Sequence, residues 1–295
     1  MAAPTIDLRP AVEADVPLLE AVMLATAEPP PGETPMPAGA QQPYLAHLVA
    51  RGRVVVAEPA RGAAHGVAGV VGFGATVDTG RSTHLADLFV LPGQQGGGIG
   101  GRLLAAAFGN ADRRTTFASD DPRALPLYVR AGMRGLWPSL YVAGDPGRLQ
   151  PAPSGYRVEE VAPGRMAELE RAWSGVDRGP DLAYWASTPE ARPFVVNRAG
   201  ASVATGLWRR RIHGTGHWLD HLQVDRAVEP LPALLAAFRY GASLGAHGGA
   251  CVPGPSPILG PLLAAGFRVV DRDTFMATDP IVVDPEREIV NTGIL

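Results

Sequence analysis

Short apolar runs bounded by glycine and proline recur along the chain, and this pattern predicts a protein built mainly of strands. In the first half the predicted strands are Thr5–Leu8, Arg53–Glu58, Gly69–Thr76, His84–Leu91, Thr115–Ala118 and Ser139–Ala143. Helices are predicted around 15–27, from about Gly101, and from Asp121, with Asp121 as the N-cap, to Gly132. The segment 28–43 is so rich in proline and glycine that it predicts an irregular loop.

The second half has the same kind of pattern. Its predicted strands are Tyr156–Glu159, Pro193–Asn197, Ser202–Ile212, His217–Val224 and a short one near Ala250, and its predicted helices are Gly164–Ser174 and Pro232–Leu244. Between the halves, the stretch "GDPGRLQPAPSG" has the composition of a linker.

Local sequence also repeats between the two halves at a fixed displacement. "AGMR" at 131–134 recurs as "AGFR" at 265–268, and "DP" at 145–146 recurs at 279–280, each 134 positions later. The same shift places Leu88 and Val90 on Leu222 and Val224. Ungapped matches at three separate places predict two copies of one α/β fold, at 1–146 and 155–280, followed by a tail at 281–295.

Composition narrows the class of protein. Of 295 residues, 46% are hydrophobic, and no apolar stretch is long enough to cross a bilayer. The N-terminus lacks the features of a signal peptide, and Cys251 is the only cysteine, so we expect a cytoplasmic protein without an intrachain disulfide. We expect no membrane association, and the sequence leaves the oligomeric state open.

Charge gives no indication of a nucleic-acid partner. The net charge is −3 and every basic residue is arginine, since the chain has no lysine. The densest basic run, Arg209 to Arg211, falls in a predicted strand, where successive side chains point to opposite faces. No aromatic-rich basic surface accompanies it, so we expect no nucleic-acid binding.

The segment "PGQQGGGIGGRLLAAAF" at 92–108 is the strongest candidate for a binding site, because a glycine-rich turn before a helix exposes backbone N–H groups to phosphates. A nucleoside-triphosphate loop requires a lysine, which this chain lacks. A dinucleotide fold is an open alternative, since Gly96, Gly98 and Gly101 satisfy G-x-G-x-x-G and Asp120 follows about 20 residues later.

The same residues resemble the GNAT superfamily of acyl-CoA-dependent N-acyltransferases. Gln95-Gly96-Gly97-Gly98-Ile99-Gly100 fits that family's glycine signature and follows "LFVLP", the strand and proline usual there. A later segment fits the family spacing as well, with Ala124, Leu127, Tyr128 and Gly132 in place. Asp121 stands where the family often has asparagine, which affects a side-chain contact to the pantetheine arm.

The resemblance implies acetyl-CoA as co-substrate, a small-molecule amine as acceptor and no metal. It implies that pantetheine lies along Leu88, Phe89 and Val90, that the Val90 amide faces the thioester carbonyl, and that Tyr128 is the general acid. The residues implied to bind the rest of the coenzyme are Gln95, Gly96, Gly97, Gly98, Ile99, Gly100, Gly101 and Asp121. A base is needed to deprotonate the amine.

For that base we favour Asp87, with His84, Glu33 and a water relay as alternatives. The second copy has Pro230, Pro232 and Leu234 at the positions of Gly96, Gly98 and Gly100, and Leu262 at that of Tyr128. Because proline offers no N–H, this copy is expected to lack both the phosphate site and the acid. A non-catalytic acyl-CoA-binding regulator and a nicotinamide-dependent oxidoreductase are the alternative functions.

Other candidate residues receive simpler interpretations. His213, His217 and His221 lie in a strand-like, glycine-broken stretch where four residues span about 13 Å, too far for neighbouring metal ligands. Cys251 is expected to be a small buried hydrophobic residue. Four tryptophans fall in the second copy and are expected in the core, at an interface or in an acceptor pocket between the copies: Trp173, Trp185, Trp208 and Trp218.

Overall fold

The structure is a computed structural model that describes residues 6–26, 36–60, 69–211 and 216–293. In the first half it contains β1 (Ile6–Pro10), α1 (Val16–Thr26), α2 (Gln42–Arg51), β2 (Arg53–Pro59), β3 (Gly72–Asp78), β4 (Thr83–Val90), α3 (Ile99–Phe108), β5 (Arg114–Ala118), α4 (Ala124–Arg130) and β6 (Arg134–Gly144).

The second half repeats this order of elements. It contains β7 (Tyr156–Glu160), α5 (Pro163–Ser174), α6 (Gly179–Ala186), β8 (Arg192–Arg198), β9 (Ala201–Arg210), β10 (His217–Val224), α7 (Pro230–Tyr240), β11 (Gly248–Pro253), α8 (Leu259–Ala264), β12 (Arg268–Ala277) and β13 (Glu288–Ile289).

The described strands form one continuous mixed sheet that is mostly antiparallel and is flanked by helices. The strand order is β1-β2-β3-β4-β5-β12-β6-β11-β10-β9-β8-β7, and β13 adds to β10. The last strands of the two halves are therefore exchanged: β12 of the second half pairs with β5, and β6 of the first half pairs with β11. Residues 1–146 and 155–280, predicted as two domains, each receive one strand from the other.

The hydrogen-bond register contains the predicted 134-residue repeat. β4 has a bulge at Ala86 and β10 has one at Asp220, positions that differ by 134. Where β6 and β12 pair at the centre of the sheet, the skipped residues are Leu136 and Val270, which again differ by 134. Since a β-bulge is a local departure from regular pairing, its recurrence at equivalent positions shows that the halves are copies of one fold.

Two helices that the sequence did not predict, α2 and α6, pack the halves together. Tyr44 and His47 of α2 stack on Trp185 and Tyr184 of α6, with ring centroids 5.9 and 4.2 Å apart. Asp181 at the start of α6 accepts a hydrogen bond of 3.1 Å from His47 and forms an ion pair of 3.4 Å with Arg51. The buried apolar cluster around these helices contains residues of both halves, so the halves share a core.

Several predicted element boundaries were wrong by a few residues. Residues 28–35 of the predicted loop 28–43 lie outside the described residues, and its last two residues belong to α2, because Pro43 fits the first turn of a helix. Helix α3 begins at Ile99 rather than Gly101. Asp121 is not the N-cap of α4, which begins three residues later, since its carboxylate instead accepts the Arg123 N–H in the preceding turn at 2.8 Å. Within the described ranges, no helix combines the length and apolar character needed to span a membrane.

Candidate active site

Strand β4 has an open backbone edge in its second half. It pairs with β5 in parallel only from Thr83 to Leu85, while its pairing with β3 continues to Val90. The Leu91 N–H donates to Val71 O at 2.9 Å, and hydrogen bonding alternates sides along a strand, so the Val90 N–H and C=O point away from β3. From Leu88 to Val90, β4 therefore offers backbone groups to a ligand lying between β4 and β5.

The glycine stretch turns the chain from β4 into α3 without covering that edge. Gly96 and Gly98 have φ of +84° and +78°, in the left-handed region that favours glycine, and Gly98 is the N-cap of α3. A Cβ on Gly96, Gly97 or Gly98 would meet no atom within 4 Å, so the space beside this turn is open. The first N–H groups of α3 face it, and such groups bind anions.

Gln95 ties this turn to both neighbouring elements. Its Nε2 donates to Val90 O at 2.8 Å, and its Oε1 accepts a hydrogen bond from Arg123. Arg123 is in turn paired with Asp121, with 2.7 Å between Nη2 and Oδ2. A side-chain amide can make both of these hydrogen bonds, since it has one donor group and one acceptor group.

These elements enclose a cleft of about 170 Å³ between the turn, β4 and α4. We call it the coenzyme cleft, and it is lined by Leu88, Val90, Gln94, Gln95, Gly96, Gly98, Ile99, Gly100, Asp121, Arg123, Ala124, Leu127 and Tyr128. Of the residues predicted to bind the coenzyme, Phe89, Gly97 and Gly101 do not line the cleft. Phe89 points to the opposite face of the sheet, because side chains alternate along a strand, and packs on Phe73 with 5.6 Å between ring centroids.

Tyr128 lies between this cleft and a larger one. Its side chain is only 7% exposed and lines both. Burial and the nearby carboxylates of Asp121 and Asp87 raise the pKa of Tyr128 to about 12. The hydroxyl is therefore protonated at neutral pH and can act as a hydrogen-bond or proton donor.

The larger space, which we call the central cavity, has a volume of about 440 Å³ and walls from both halves. It is lined by Met23, Met36, Gln41, Tyr44, Leu85, Ala86, Asp87, Leu88, Phe89, Thr116, Phe117, Ser119, Tyr128, Trp185, Arg209, Asp273, Asn291, Thr292 and Gly293. Leu88 and Tyr128 also line the coenzyme cleft, so the two spaces adjoin at these residues. Of the four tryptophans considered above, Trp185 lies in this cavity, whereas Trp208 is fully buried in the core.

Asp87 is the carboxylate of β4 in the central cavity. Burial raises its pKa from 3.8 to about 6, and the hydrogen bond of 2.9 Å that Tyr44 Oη donates to Oδ2 opposes this rise. A carboxylate with a pKa just below neutrality is ionised at pH 7 and holds a proton more readily than an ordinary aspartate. These properties suit a general base.

Of the alternative bases, His84 is committed to a structural role. It is fully buried, its Nε2 donates to the carbonyl of Thr292 at 3.0 Å, and its Nδ1 is 3.1 Å from the Thr115 hydroxyl. Burial lowers the pKa of His84 to about 4, so the ring is neutral with both nitrogens engaged. His84 thereby holds the C-terminal segment against β4. Glu33 lies outside the described residues.

The comparisons with known proteins agree with this geometry. Residues 48–132 match a family model described as an acetyltransferase (GNAT) domain. Over residues 48–132 the chain is therefore similar to a GNAT domain. The family uses acyl-CoA as co-substrate, which supports an acyltransferase activity. No curated protein matches the sequence.

Solved structures show that the similarity in fold extends over nearly all of the chain. A candidate acetyltransferase from Pyrococcus horikoshii is 16% identical with a TM-score of 0.72, over 98% of this chain and 95% of that one. A GCN5-related N-acetyltransferase from Anabaena variabilis is 13% identical with a TM-score of 0.62, over 92% and 72%. A tandem GNAT protein from the clavulanic acid biosynthesis pathway is 15% identical with a TM-score of 0.60, over 95% and 100%. Such low identities establish a shared tandem GNAT fold only.

In the second GNAT-like half, the position of the open edge is filled by the chain itself. β10 and β11 pair in parallel only from His217 to Leu219, as β4 and β5 do in the first half. Beyond that point β13 pairs with Leu222 and Gln223, and Val224 N–H donates to Arg287 O at 3.1 Å. These three residues are the equivalents of Leu88, Phe89 and Val90.

The residue of the second half that is equivalent to Asp87 already has a hydrogen-bond partner. This residue is His221, whose Nε2 lies 2.7 Å from Glu170 Oε1, and the same oxygen accepts a 2.7 Å hydrogen bond from Thr205. Helix α7, the equivalent of α3, begins with Pro230, and Pro230 and Pro232 have no N–H to offer a phosphate. The described residues of the second half thus retain neither an open backbone edge nor a phosphate cradle.

The remaining candidates do not form sites of their own. Among the described residues, no group of three or more histidine, cysteine, aspartate or glutamate side chains is placed to hold a metal ion. His217 lies 3.4 Å from Glu190, and His213 is outside the described residues. Cys251 is buried beside Ser139, and burial raises the pKa of its thiol to about 12. The mostly antiparallel sheet also differs from the parallel sheet of a dinucleotide fold.

Proposed function

We propose that this protein is an N-acetyltransferase that transfers the acetyl group of acetyl-CoA to a primary amine bound in the central cavity. The observation that supports this most directly is that Leu88 and Tyr128 line both the coenzyme cleft and the central cavity. A thioester in the cleft and an amine in the cavity would meet there.

In this proposal the coenzyme is held by main-chain groups of the first half. Its pyrophosphate lies over Gly96, Gly97 and Gly98, where a Cβ would occupy free space and where the first N–H groups of α3 bind negative charge. The pantetheine arm pairs with the open edge of β4 from Leu88 to Val90, in the way that an added strand pairs with a sheet.

The transfer step uses three groups around the thioester. Asp87 accepts a proton from the ammonium of the acceptor, directly or through water, and the free amine attacks the carbonyl carbon. The Val90 N–H donates to the oxygen that becomes negative. When the new C–N bond has formed, the C–S bond breaks and the sulfur receives a proton from Tyr128; the nitrogen loses its second proton to solvent. Tyr128 then regains a proton from solvent and Asp87 releases its proton to solvent, so both groups return to their starting states.

The pKa of Tyr128 fits this role if the sulfur is buried as well. A tyrosine with a pKa of about 12 is a weak acid toward an ordinary thiolate of pKa about 8.5. Removal from water raises the pKa of a thiol in the same direction. Enclosure in the cleft therefore brings the two pKa values closer together, and a protonated Tyr128 is the form needed at the moment the sulfur leaves.

Ligand binding and turnover test separate parts of the proposal. In a thermal-shift assay, acetyl-CoA and CoA should stabilise the protein and NAD should not, because a ligand that binds the folded state selectively raises its stability. Stabilisation by NAD alone would overturn the proposal in favour of a nicotinamide enzyme.

Turnover is then followed as thiol release with a panel of amines. Tyr128→Phe should lower kcat by about 100-fold or more while the Kd for acetyl-CoA changes less than about threefold. Binding of acetyl-CoA without turnover of any amine by the unaltered protein would instead indicate an acyl-CoA-binding regulator.

A further inference from the structure

Charge is distributed unevenly through the space available to the acceptor. Behind the central cavity is a second one of about 260 Å³, the rear cavity, lined by Gln41, Tyr141, Arg209, Arg211, Trp218, Leu219, Asp220, Cys251, Val290, Asn291 and Thr292. Asp87 and Asp273 line only the central cavity, Arg211 lines only the rear one, and Arg209 lines both. The central cavity therefore has two carboxylates and Arg209, whereas the rear cavity has two arginines and one carboxylate, Asp220, which is paired with Arg209.

Arg209 is held in place by two neighbouring residues beside the space that the two cavities share. Its side chain is 12% exposed, it forms an ion pair through Nε with Asp220, and its guanidinium lies 4.5 Å above the ring of Trp185. The same side chain lines both the central cavity and the rear cavity. An arginine held by its Nε and its flat face leaves its outer edge to bind a planar anion.

Arg209 is also within reach of the proposed reacting centre. Asp87 accepts a hydrogen bond from Tyr44, Tyr44 stacks on Trp185, and Trp185 lies under Arg209, so three direct contacts connect the two charges. Apolar and aromatic side chains, among them Met23, Phe89 and Trp185, line the central cavity together with these two charged groups. A small molecule with an apolar body could touch both ends at once.

We propose, on the basis of the proposed function, that the acceptor is an amine that also bears a carboxylate, with its ammonium group at Asp87 and its carboxylate on the terminal amino groups of Arg209. Free amino acids and longer amino-carboxylates belong to this class. Amines of the same size without the acid do not.

The test compares acceptors that differ only in the carboxylate. Thiol release from acetyl-CoA is measured with phenylalanine and phenethylamine, leucine and isoamylamine, and 6-aminohexanoate and hexylamine. At least one pair should favour the acid in kcat/KM by about tenfold or more, the gain typical of a hydrogen bond to a charged group. An amine preferred over its acid partner in all three pairs would overturn the proposal.

Variants assign the preference to Arg209. Because removing one partner of a buried ion pair leaves the other unpaired, Arg209→Gln is combined with Asp220→Asn, and the acid-to-amine ratio should fall to about one. Arg210→Ala is the matched control, since Arg210 is the next residue on β9, points to the exposed face and pairs with Glu190 at 2.8 Å. A ratio retained in the double variant, or lost in the control, would refute the assignment.

Direct binding distinguishes this inference from the proposed function. Calorimetric titration of phenylalanine, leucine and 6-aminohexanoate into the protein saturated with CoA requires no chemical step. Binding that the double variant loses supports the carboxylate site even if no amine is acetylated, and failure of all three acids to bind overturns it even if some amine is acetylated.

Discussion

The Asp87→Asn variant should have a lower kcat/KM but a higher free energy of unfolding than the unaltered protein. In the folded state the pKa of Asp87 is raised from 3.8 to about 6 by burial. When a carboxyl group has a higher pKa in the folded state than in the unfolded state, its ionisation lowers the free energy of unfolding at any pH above the two pKa values. At pH 7 the ionised carboxylate therefore costs stability, and a neutral amide of the same shape removes that cost.

The size of the expected gain in stability follows from the shift in the pKa of Asp87. The pKa difference of about 2.2 units corresponds to about 3 kcal/mol at about 1.4 kcal/mol per unit. One edge of Asp87 faces the central cavity, so solvent screening reduces the expected gain to about 1–2 kcal/mol. Urea unfolding at pH 7.5 should show this gain, and at pH 4 it should nearly vanish, because the carboxyl group is then protonated in the folded state.

The activity of the Asp87→Asn variant should fall, in contrast to its stability. Loss of a general base typically lowers the rate by about 10²–10⁴-fold, so kcat/KM for an amine acceptor should fall at least about 100-fold. Tyr44 can still donate to the side-chain amide oxygen that the substitution introduces, so the cavity wall should keep its shape. The Kd for acetyl-CoA should therefore change little.

Asp273→Asn is the matched control for this prediction. Asp273 also lines the central cavity, burial also raises its pKa, and its Oδ2 also accepts a tyrosine hydroxyl, that of Tyr141 at 2.6 Å. We expect its loss to lower kcat/KM less than about tenfold. If Asp273→Asn costs more activity than Asp87→Asn, the base is Asp273 and our reasoning about β4 is wrong.

Three further predictions concern ionisation and the coenzyme cleft. Tyr44→Phe removes a hydrogen bond to ionised Asp87, so the acid limb of kcat/KM should move up from about pH 6 by about 1–2 units; an unmoved limb would exclude Asp87 as its source. Gly98→Leu should raise the Kd for acetyl-CoA about tenfold or more in calorimetry, whereas equal weakening by Pro232→Leu would place the coenzyme in the wrong half. Because the pKa of His84 is about 4 in the folded protein, stability should fall by about 3 kcal/mol as the pH drops from about 6.5 to 4, and a His84→Gln variant with an equal loss in urea unfolding would contradict this.

The parts of the site that depend on local sequence were predictable. The turn from β4 through Gly98 into α3 is set by consecutive residues, and Tyr128 is placed by its spacing within α4. Each of these features is decided by backbone conformations and contacts within about ten residues. The spacing of glycines and apolar residues therefore contains the information that predicts them.

The walls of the central cavity were not predictable in this way. Helices α2 and α6 are short and gain their stability by packing on each other across the two halves. Arg209 is one of three successive arginines, and alternation along β9 indicates that neighbours face opposite sides without indicating which one faces inward. Asn291 to Gly293 reach the cavity only because His84 and β13 hold the tail.

The exchange of β6 and β12 could not be predicted for a different reason. The two strands are equivalent copies, and their pairings with β11 and β5 have the same register after the 134-residue shift. Local pairing energies alone therefore hardly distinguish the exchanged from the unexchanged arrangement. What distinguishes them is the connection through the linker and the β6–β12 ladder at the centre of the sheet, which are long-range features.

The filled edge of β10 and one wall of the central cavity are both formed by the same C-terminal segment. By pairing with β10, β13 satisfies backbone groups that an open edge would leave exposed, at the position where the first half offers Leu88 to Val90. The chain then continues for a few residues and places Asn291 to Gly293 in the wall of the central cavity. A second half with an open edge would have no place to anchor this segment, and the first half would then lack that wall. In this arrangement the second half contributes a wall of the central cavity because β13 fills the edge of β10 that is equivalent to the open edge of β4.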